Sequence, residues 1–229
     1  MKYFTIILST LLLAAVIAPH QTNDFPEVVV PVEVHLNGQL YASGSGVVID
    51  SFPVKDKFNT AVLTAKHNID NIPIDGKVYV LLDGLKVPSH IAYRHPTMDA
   101  AVLVIETTEA LTGALMDSSP LSPLEEVYTG GYQMAFELLI TEGIVNYSVT
   151  KDLGQKPGTL WLCTAPTFPG NSGGGVFDKD SRKLIGLSVA VGSAPGPFGG
   201  TVVPHIHIFI PINVLDKWID EVNHERQNS

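Results

Sequence analysis

Short β-branched runs bounded by Gly, Pro, Asn and Asp recur along the chain from Val28 onward, and only one segment carries a clear helical period. The runs predict strands over Val28–Leu36, Gly46–Ile49, Thr60–Ala65, Lys77–Leu82, Val87–Tyr93 and Ala100–Ile105. A second set covers Val127–Tyr132, Leu138–Thr150, Thr159–Thr164, Gly175–Phe177, Lys183–Val191 and Val202–Pro211. Six and six is a natural count for two β-barrels, joined by the Pro- and Ser-containing segment Met116–Leu124. After Pro211, residues Val214, Leu215, Trp218, Ile219 and Val222 fall on one face at helical spacing, which predicts a closing helix over 212–222 packed on a barrel. The polar tail Asn223–Ser229 is expected to fray. The stretch Gly192–Gly200 reads as a hairpin loop beside a cleft, and no internal repeat is visible. The expected fold class is all-β.

One segment breaks this pattern. Lys2 precedes an apolar stretch, Phe4–Ala18, that is shorter than the roughly 20 residues a membrane span needs. A positive residue, a short apolar region and small residues such as Ala14, Ala15 and Ala18 suit a secretory signal over about residues 1–22, with the mature chain starting between His20 and Glu27. The expected location is secreted or periplasmic, with no membrane span in the mature chain and one folded unit over 25–222. Composition adds limits. The 229 residues are 45% hydrophobic and 16% charged, enough for a substantial core, and 14 Lys and Arg against 23 Asp and Glu leave a net charge of −9. That balance argues against nucleic acid as a partner. Cys163 is the sole cysteine, so no disulfide forms within the chain, and its place in the apolar run Leu160–Cys163 marks it as a buried residue and not a nucleophile.

Three segments carry chemistry when taken together: Thr64-Ala65-Lys66-His67, then Asp99-Ala100-Ala101-Val102-Leu103, then Gly170-Asn171-Ser172-Gly173-Gly174. Each alone is compatible with an ordinary turn or strand end. Serine-based acyl hydrolysis needs a hydroxyl against an imidazole that takes its proton, and a carboxylate that fixes the imidazole's tautomer. Ser172, His67 and Asp99 supply those groups. The glycines around Ser172 allow a turn tight enough to aim the N–H groups of Gly170 and Ser172 at one point, as an oxyanion hole requires. His67 and Asp99 come from the first half and Ser172 from the second, which puts the expected site between the barrels. No cofactor is needed for this chemistry. His205 and His207 alternate along one strand, but no third metal ligand lies near them in sequence, and no metal is assigned.

With these motifs the chain resembles the trypsin-like serine proteases of the chymotrypsin fold, through Thr-Ala-x-His at His67, Asp-x-Ala-Val-Leu at Asp99 and Gly-Asn-Ser-Gly-Gly at Ser172. Gly44–Ile49, Glu142–Val145, Leu184–Leu187 and Ile210–Asn213 look closest to the Deg-type branch. The resemblance implies two six-stranded antiparallel Greek-key barrels with a C-terminal helix, and a serine endopeptidase acting on a protein or peptide substrate. It also implies a substrate-side pocket drawn from Pro166, Thr167, Val189, Ala190, Val191 and His207, which is either a small apolar pocket with His207 pointing elsewhere or one in which Thr167 and His207 donate hydrogen bonds to a Glu or Gln side chain. No Asp stands ahead of the serine to favour Lys or Arg. The chain departs from the pattern in lacking an Ile-Val-Gly-Gly start and in carrying Lys66, a cation positioned to perturb His67, and no PDZ domain is expected. The alternative from another class is a catalytically silent member of the fold that binds peptides or partner proteins.

Overall fold

The computed structural model describes residues 27–70, 72–133, 137–149, 159–196 and 199–227. The expected export segment, Thr150, the middle of the Gly192–Gly200 stretch and the last two residues of the tail lie outside them. Strands β1 (Val29–Leu36), β2 (Gln39–Val54), β3 (Lys57–Thr64), β4 (Lys77–Leu82), β5 (Leu85–Arg94) and β6 (Ala101–Thr107) form the first half, with the short helix α1 (His67–Asp70) after β3. The second half holds β7 (Glu126–Gly131), β8 (Leu139–Ser148), β9 (Trp161–Cys163), β10 (Gly175–Asp178), β11 (Leu184–Gly196), β12 (Gly199–Pro211) and helix α2 (Ile212–Gln227).

Both halves close into antiparallel barrels. The first runs β1-β2-β3-β6-β5-β4 and the second β7-β8-β9-β12-β11-β10, the same Greek-key order shifted by six strands. A structural repeat therefore exists where the sequence shows none, because ladder pairing constrains backbone path and alternation but not residue identity. Two-residue turns at Asn37-Gly38 and Asp83-Gly84, with positive φ at all four residues, set the β1–β2 and β4–β5 registers.

The apolar runs are continuous where both strand faces are buried. On β3, Val62 packs inside the first barrel while Ala61 and Leu63 face a larger cluster that spans both barrels and α2. On β6, Leu103 and Ile105 point inward and Val102 outward into that same cluster. In the second barrel Phe209 points in, and Ile208 and Ile210 point toward the shared core. Cys163 is fully buried beside Val145 and Phe209, and burial pushes its thiol up to about 12, as expected of a packed residue. The connection after β6 is also tied down: Met116 bridges Leu184, and Asp117 N–H donates to the Leu184 carbonyl at 2.9 Å.

Three elements differ from the sequence expectation. Strand β2 extends far beyond Gly46–Ile49, since its exposed ends pair with β1 and β3 through backbone groups that side-chain patterning does not report. The β11–β12 ladder runs through much of the Gly192–Gly200 stretch, from Gly192 opposite Val203 to Gly196 opposite Gly199. Helix α2 does not fray at Asn223. Arg226, 7% exposed, donates to the Asn59 carbonyl at 3.1 Å and to Asn223 Oδ1 at 2.8 Å, and lies 4.8 Å over the Phe52 ring. These contacts hold the last turn on the first barrel. Leu215, Ile219 and Val222 bury the expected face of α2, and no helix among the described residues is long and apolar enough to cross a membrane.

Ile219 is fully buried in the shared core. Ile219→Ala is expected to lower unfolding free energy by about 2–5 kcal/mol, read as an earlier midpoint in urea denaturation; an unchanged midpoint would mean that α2 contributes little to the fold.

Candidate active site

His67 opens α1 immediately beyond β3, where Asn68 N–H and Ile69 N–H turn the chain back onto the Ala65 and Lys66 carbonyls. Ile69, 1% exposed, anchors that turn in the first barrel. Asp99 lies in the connection between β5 and β6. Its carboxylate takes two hydrogen bonds from one residue: His67 Nδ1–H donates to Oδ2 at 2.6 Å and His67 N–H donates to Oδ1 at 2.8 Å. Imidazole orientation and tautomer are fixed together, with Nε2 left as the acceptor. The Asp99 hydrogen bond raises the His67 pKa above the ordinary 6.5, against a smaller lowering by partial burial.

Lys66 has a backbone acceptor. Its Nζ donates to the His95 carbonyl at 3.1 Å, and the charges that raise His67 are Asp99 and Asp70.

Ser172 sits in the turn before β10. Its carbonyl accepts from Ser45 N–H at 2.8 Å and from Asn68 Nδ2 at 2.8 Å, so the residue beside His67 holds the Ser172 backbone directly. Ser45, fully buried, also donates its Oγ to the Gly170 carbonyl at 2.8 Å, accepts there from Tyr132 N–H at 2.8 Å, and receives Thr64 Oγ1 on its own carbonyl at 2.7 Å. Gly170 and Gly173 have φ of 98° and 88°, and a Cβ on Gly173 would collide with the Ser45 carbonyl oxygen. Only glycine fits that approach. Within this turn the amides of Asn171, Gly173 and Gly174 donate to the Phe168, Ser188 and Asn171 carbonyls. Those of Gly170 and Ser172 donate to no protein acceptor among the described residues.

The structure thus joins His67 to Asp99 and brings the Ser172 backbone to Asn68. Ser172 Oγ itself lies 3.4 Å from the Val189 carbonyl, and no hydrogen bond joins it to His67 among the described residues. Val189 is buried at an irregularity of the β11–β12 ladder, between Ser188 opposite Phe209 and Ala190 opposite Ile208. Ala190 is exposed and Val191 half-buried. The Pro166 carbonyl accepts from Thr141 Oγ1 at 2.8 Å, and Thr167, 2% exposed, donates its N–H to the Pro204 carbonyl. His207 is wholly buried with Nε2 2.9 Å from Ser188 Oγ, which also accepts from Asn171 Nδ2 at 3.3 Å. Burial pushes the His207 pKa down to about 3, so the ring is neutral. His205 lies apart, donating Nδ1–H to the Thr164 carbonyl.

Sequence reasoning missed Ser45 and Asn68 as parts of the site. Ser45 stands inside a segment already singled out and Asn68 directly after one, but a serine between glycines and an asparagine after a histidine carry no local mark of a partner more than 100 residues away. Ser45→Ala would leave the half-buried Gly170 carbonyl and Tyr132 N–H without their side-chain partner. A loss of about 1–3 kcal/mol in denaturant-measured stability is expected, whereas wild-type stability would show that this contact is dispensable.

Over 81% of its length the chain is 27% identical to a probable periplasmic serine endoprotease, DegP-like, from Marinomonas sp. (strain MWYL1), and it spans 36% of that relative. The model of the trypsin-like peptidase domain matches residues 44–187, from the glycine before Ser45 in β2 to β11. With two closed barrels of the same strand order and this match over more than half its length, the chain belongs to the family of trypsin-like peptidase domains.

Proposed function

We propose that this protein is an exported serine endopeptidase that hydrolyses peptide bonds through Ser172, His67 and Asp99. The observation that carries the reading is the double hydrogen bond from His67 to Asp99, made on the same small helix whose Asn68 holds the Ser172 backbone. Ser172 Oγ attacks the substrate carbonyl carbon while His67 Nε2 takes the hydroxyl proton. Asp99 steadies the resulting imidazolium. The carbonyl oxygen becomes an oxyanion that receives the two uncommitted amides, Gly170 N–H and Ser172 N–H. His67 then returns the proton to the leaving amine, and water repeats the sequence on the acyl-enzyme.

Substrate would run along β11 at Val189, Ala190 and Val191, with Pro166 and Thr167 on the opposite wall and His207 behind it. A neutral His207 already bound to Ser188 brings no positive charge, so a preference for acidic side chains through an ion pair gains no support there. Export to the periplasm or beyond draws on the character of residues 1–22 and on the relative's description.

A catalytically silent, peptide-binding member of the family is the competing reading, favoured by the orientation of Ser172 Oγ toward Val189. A fluorophosphonate probe separates the two. Wild type is expected to be labelled and Ser172→Ala not; persistent labelling of the variant would remove Ser172 from the role, and an unlabelled wild type would favour silence.

The pH dependence follows from His67. Its neutral form is the base and its pKa is raised, so kcat/KM should rise with pH through a midpoint above the ordinary 6.5. Asp99→Asn removes the main cause of that shift: the midpoint should fall and the rate should drop by roughly four orders of magnitude. An unshifted midpoint in Asp99→Asn would exclude Asp99 as the partner that tunes His67.

A further inference from the structure

We infer that His95 is a positioning residue, whose imidazole holds the turn that presents Asp99 to His67. The inference rests on the proposed roles of His67 and Asp99 and adds a residue that no motif marks.

The two oxygens of Asp99 are both committed to His67, and among the described residues no other donor reaches its carboxylate. The placement of Asp99 therefore depends on the backbone that carries it. That backbone is the connection from Arg94, the end of β5, to Ala101, the start of β6, which face each other in the ladder. His95 N–H closes the connection on the Ala100 carbonyl at 2.9 Å. Inside it, Pro96 has no N–H, and the next two amides converge on one atom: Thr97 N–H at 3.2 Å and Met98 N–H at 2.9 Å both donate to His95 Nδ1. The imidazole does here what an Asp or Asn side chain does in an Asx turn, taking amides two and three residues ahead.

Accepting at Nδ1 requires the neutral tautomer with its proton on Nε2. The surroundings favour it, because partial burial and the nearby Lys66 ammonium both lower the His95 pKa. The ring is also held from outside the turn. Trp218 of α2 meets it edge to face, with centroids 5.1 Å apart and planes at 69°. Lys66, one residue before His67, donates to the His95 carbonyl at 3.1 Å. His95 thus links the shared core, through Trp218, to the two segments that must meet for Asp99 to reach His67.

A purely packing role for the ring predicts something different, and two substitutions distinguish them. His95→Phe keeps an aromatic face for Trp218 and removes the acceptor. His95→Asn removes the aromatic face and restores an acceptor to the turn. Two readouts apply to both: the His67 titration midpoint followed by NMR of labelled histidine, which needs no turnover, and the second-order rate of fluorophosphonate reaction at Ser172. In His95→Phe the His67 midpoint should fall toward that of Asp99→Asn, with a labelling rate lower by roughly tenfold or more, measured at a temperature where the variant is fully folded. His95→Asn should recover most of both. The inference is overturned if His95→Phe titrates and reacts as wild type does, or if His95→Asn loses as much as His95→Phe. If wild type itself is not labelled, the failure belongs to the role of Ser172, and the His67 midpoints alone still decide for or against His95.

Discussion

Ser45 connects the two barrels with every polar atom it has. Its N–H and Oγ donate to the Ser172 and Gly170 carbonyls of the second barrel, its Oγ accepts from Tyr132, and its carbonyl accepts from Thr64 of the first barrel. Ser45 itself is 0% exposed, so a partner lost at its end of these bonds leaves a buried polar atom behind. The nucleophile's turn is thereby held in the frame of the barrel that carries His67 and Asp99. Asn68 reinforces the same join from one residue beyond His67. The Ser172 turn is thus held from two sides, by Ser45 and by Asn68.

Such a polar join is tenable because an apolar core surrounds it. The largest cluster is not inside either barrel but between them and under α2, drawing Leu63 and Val102 from the first, Leu187 and Ile210 from the second, and Leu215 and Ile219 from the helix. The same helix reaches the site indirectly, since Trp218 packs on that core with one side and meets His95 with its ring. Helix, core and Asp99 turn are one mechanical unit. The His67 side chain is 47% exposed and Ser172 half-buried, so a substrate can reach them, while Ser45 behind them is fully buried.

Much of the fold was legible in the chain. Lys77–Leu82 appears with the expected bounds, and most other strands differ only at their ends, because alternation and β-branched runs report burial on one or both faces. The exceptions share a cause. The outer parts of β2 include the exposed Leu40 and Tyr41, and its pairing is carried by main-chain groups common to all residues. The end of α2 looked like a polar tail, and is ordered by an arginine whose partners, Asn59 and Phe52, lie on the far side of the sequence. A polar residue reads as solvent-facing until a distant acceptor is known.

The sequence by itself determined the all-β class, the six-and-six division, the closing helix and the residues proposed for chemistry, since each depends on periodicity or on a few adjacent residues. Only the tertiary structure decided what surrounds those residues: that Lys66 donates to the His95 carbonyl, that His207 is spent on Ser188, and that Ser45, Asn68 and His95 support the site. The physical reason is range. Alternation and turn chemistry act over a handful of neighbouring residues, whereas the contacts from Ser45 to Gly170 and from Asn68 to Ser172 close over separations of 125 and 104 residues, which only the folded backbone brings to hydrogen-bonding distance.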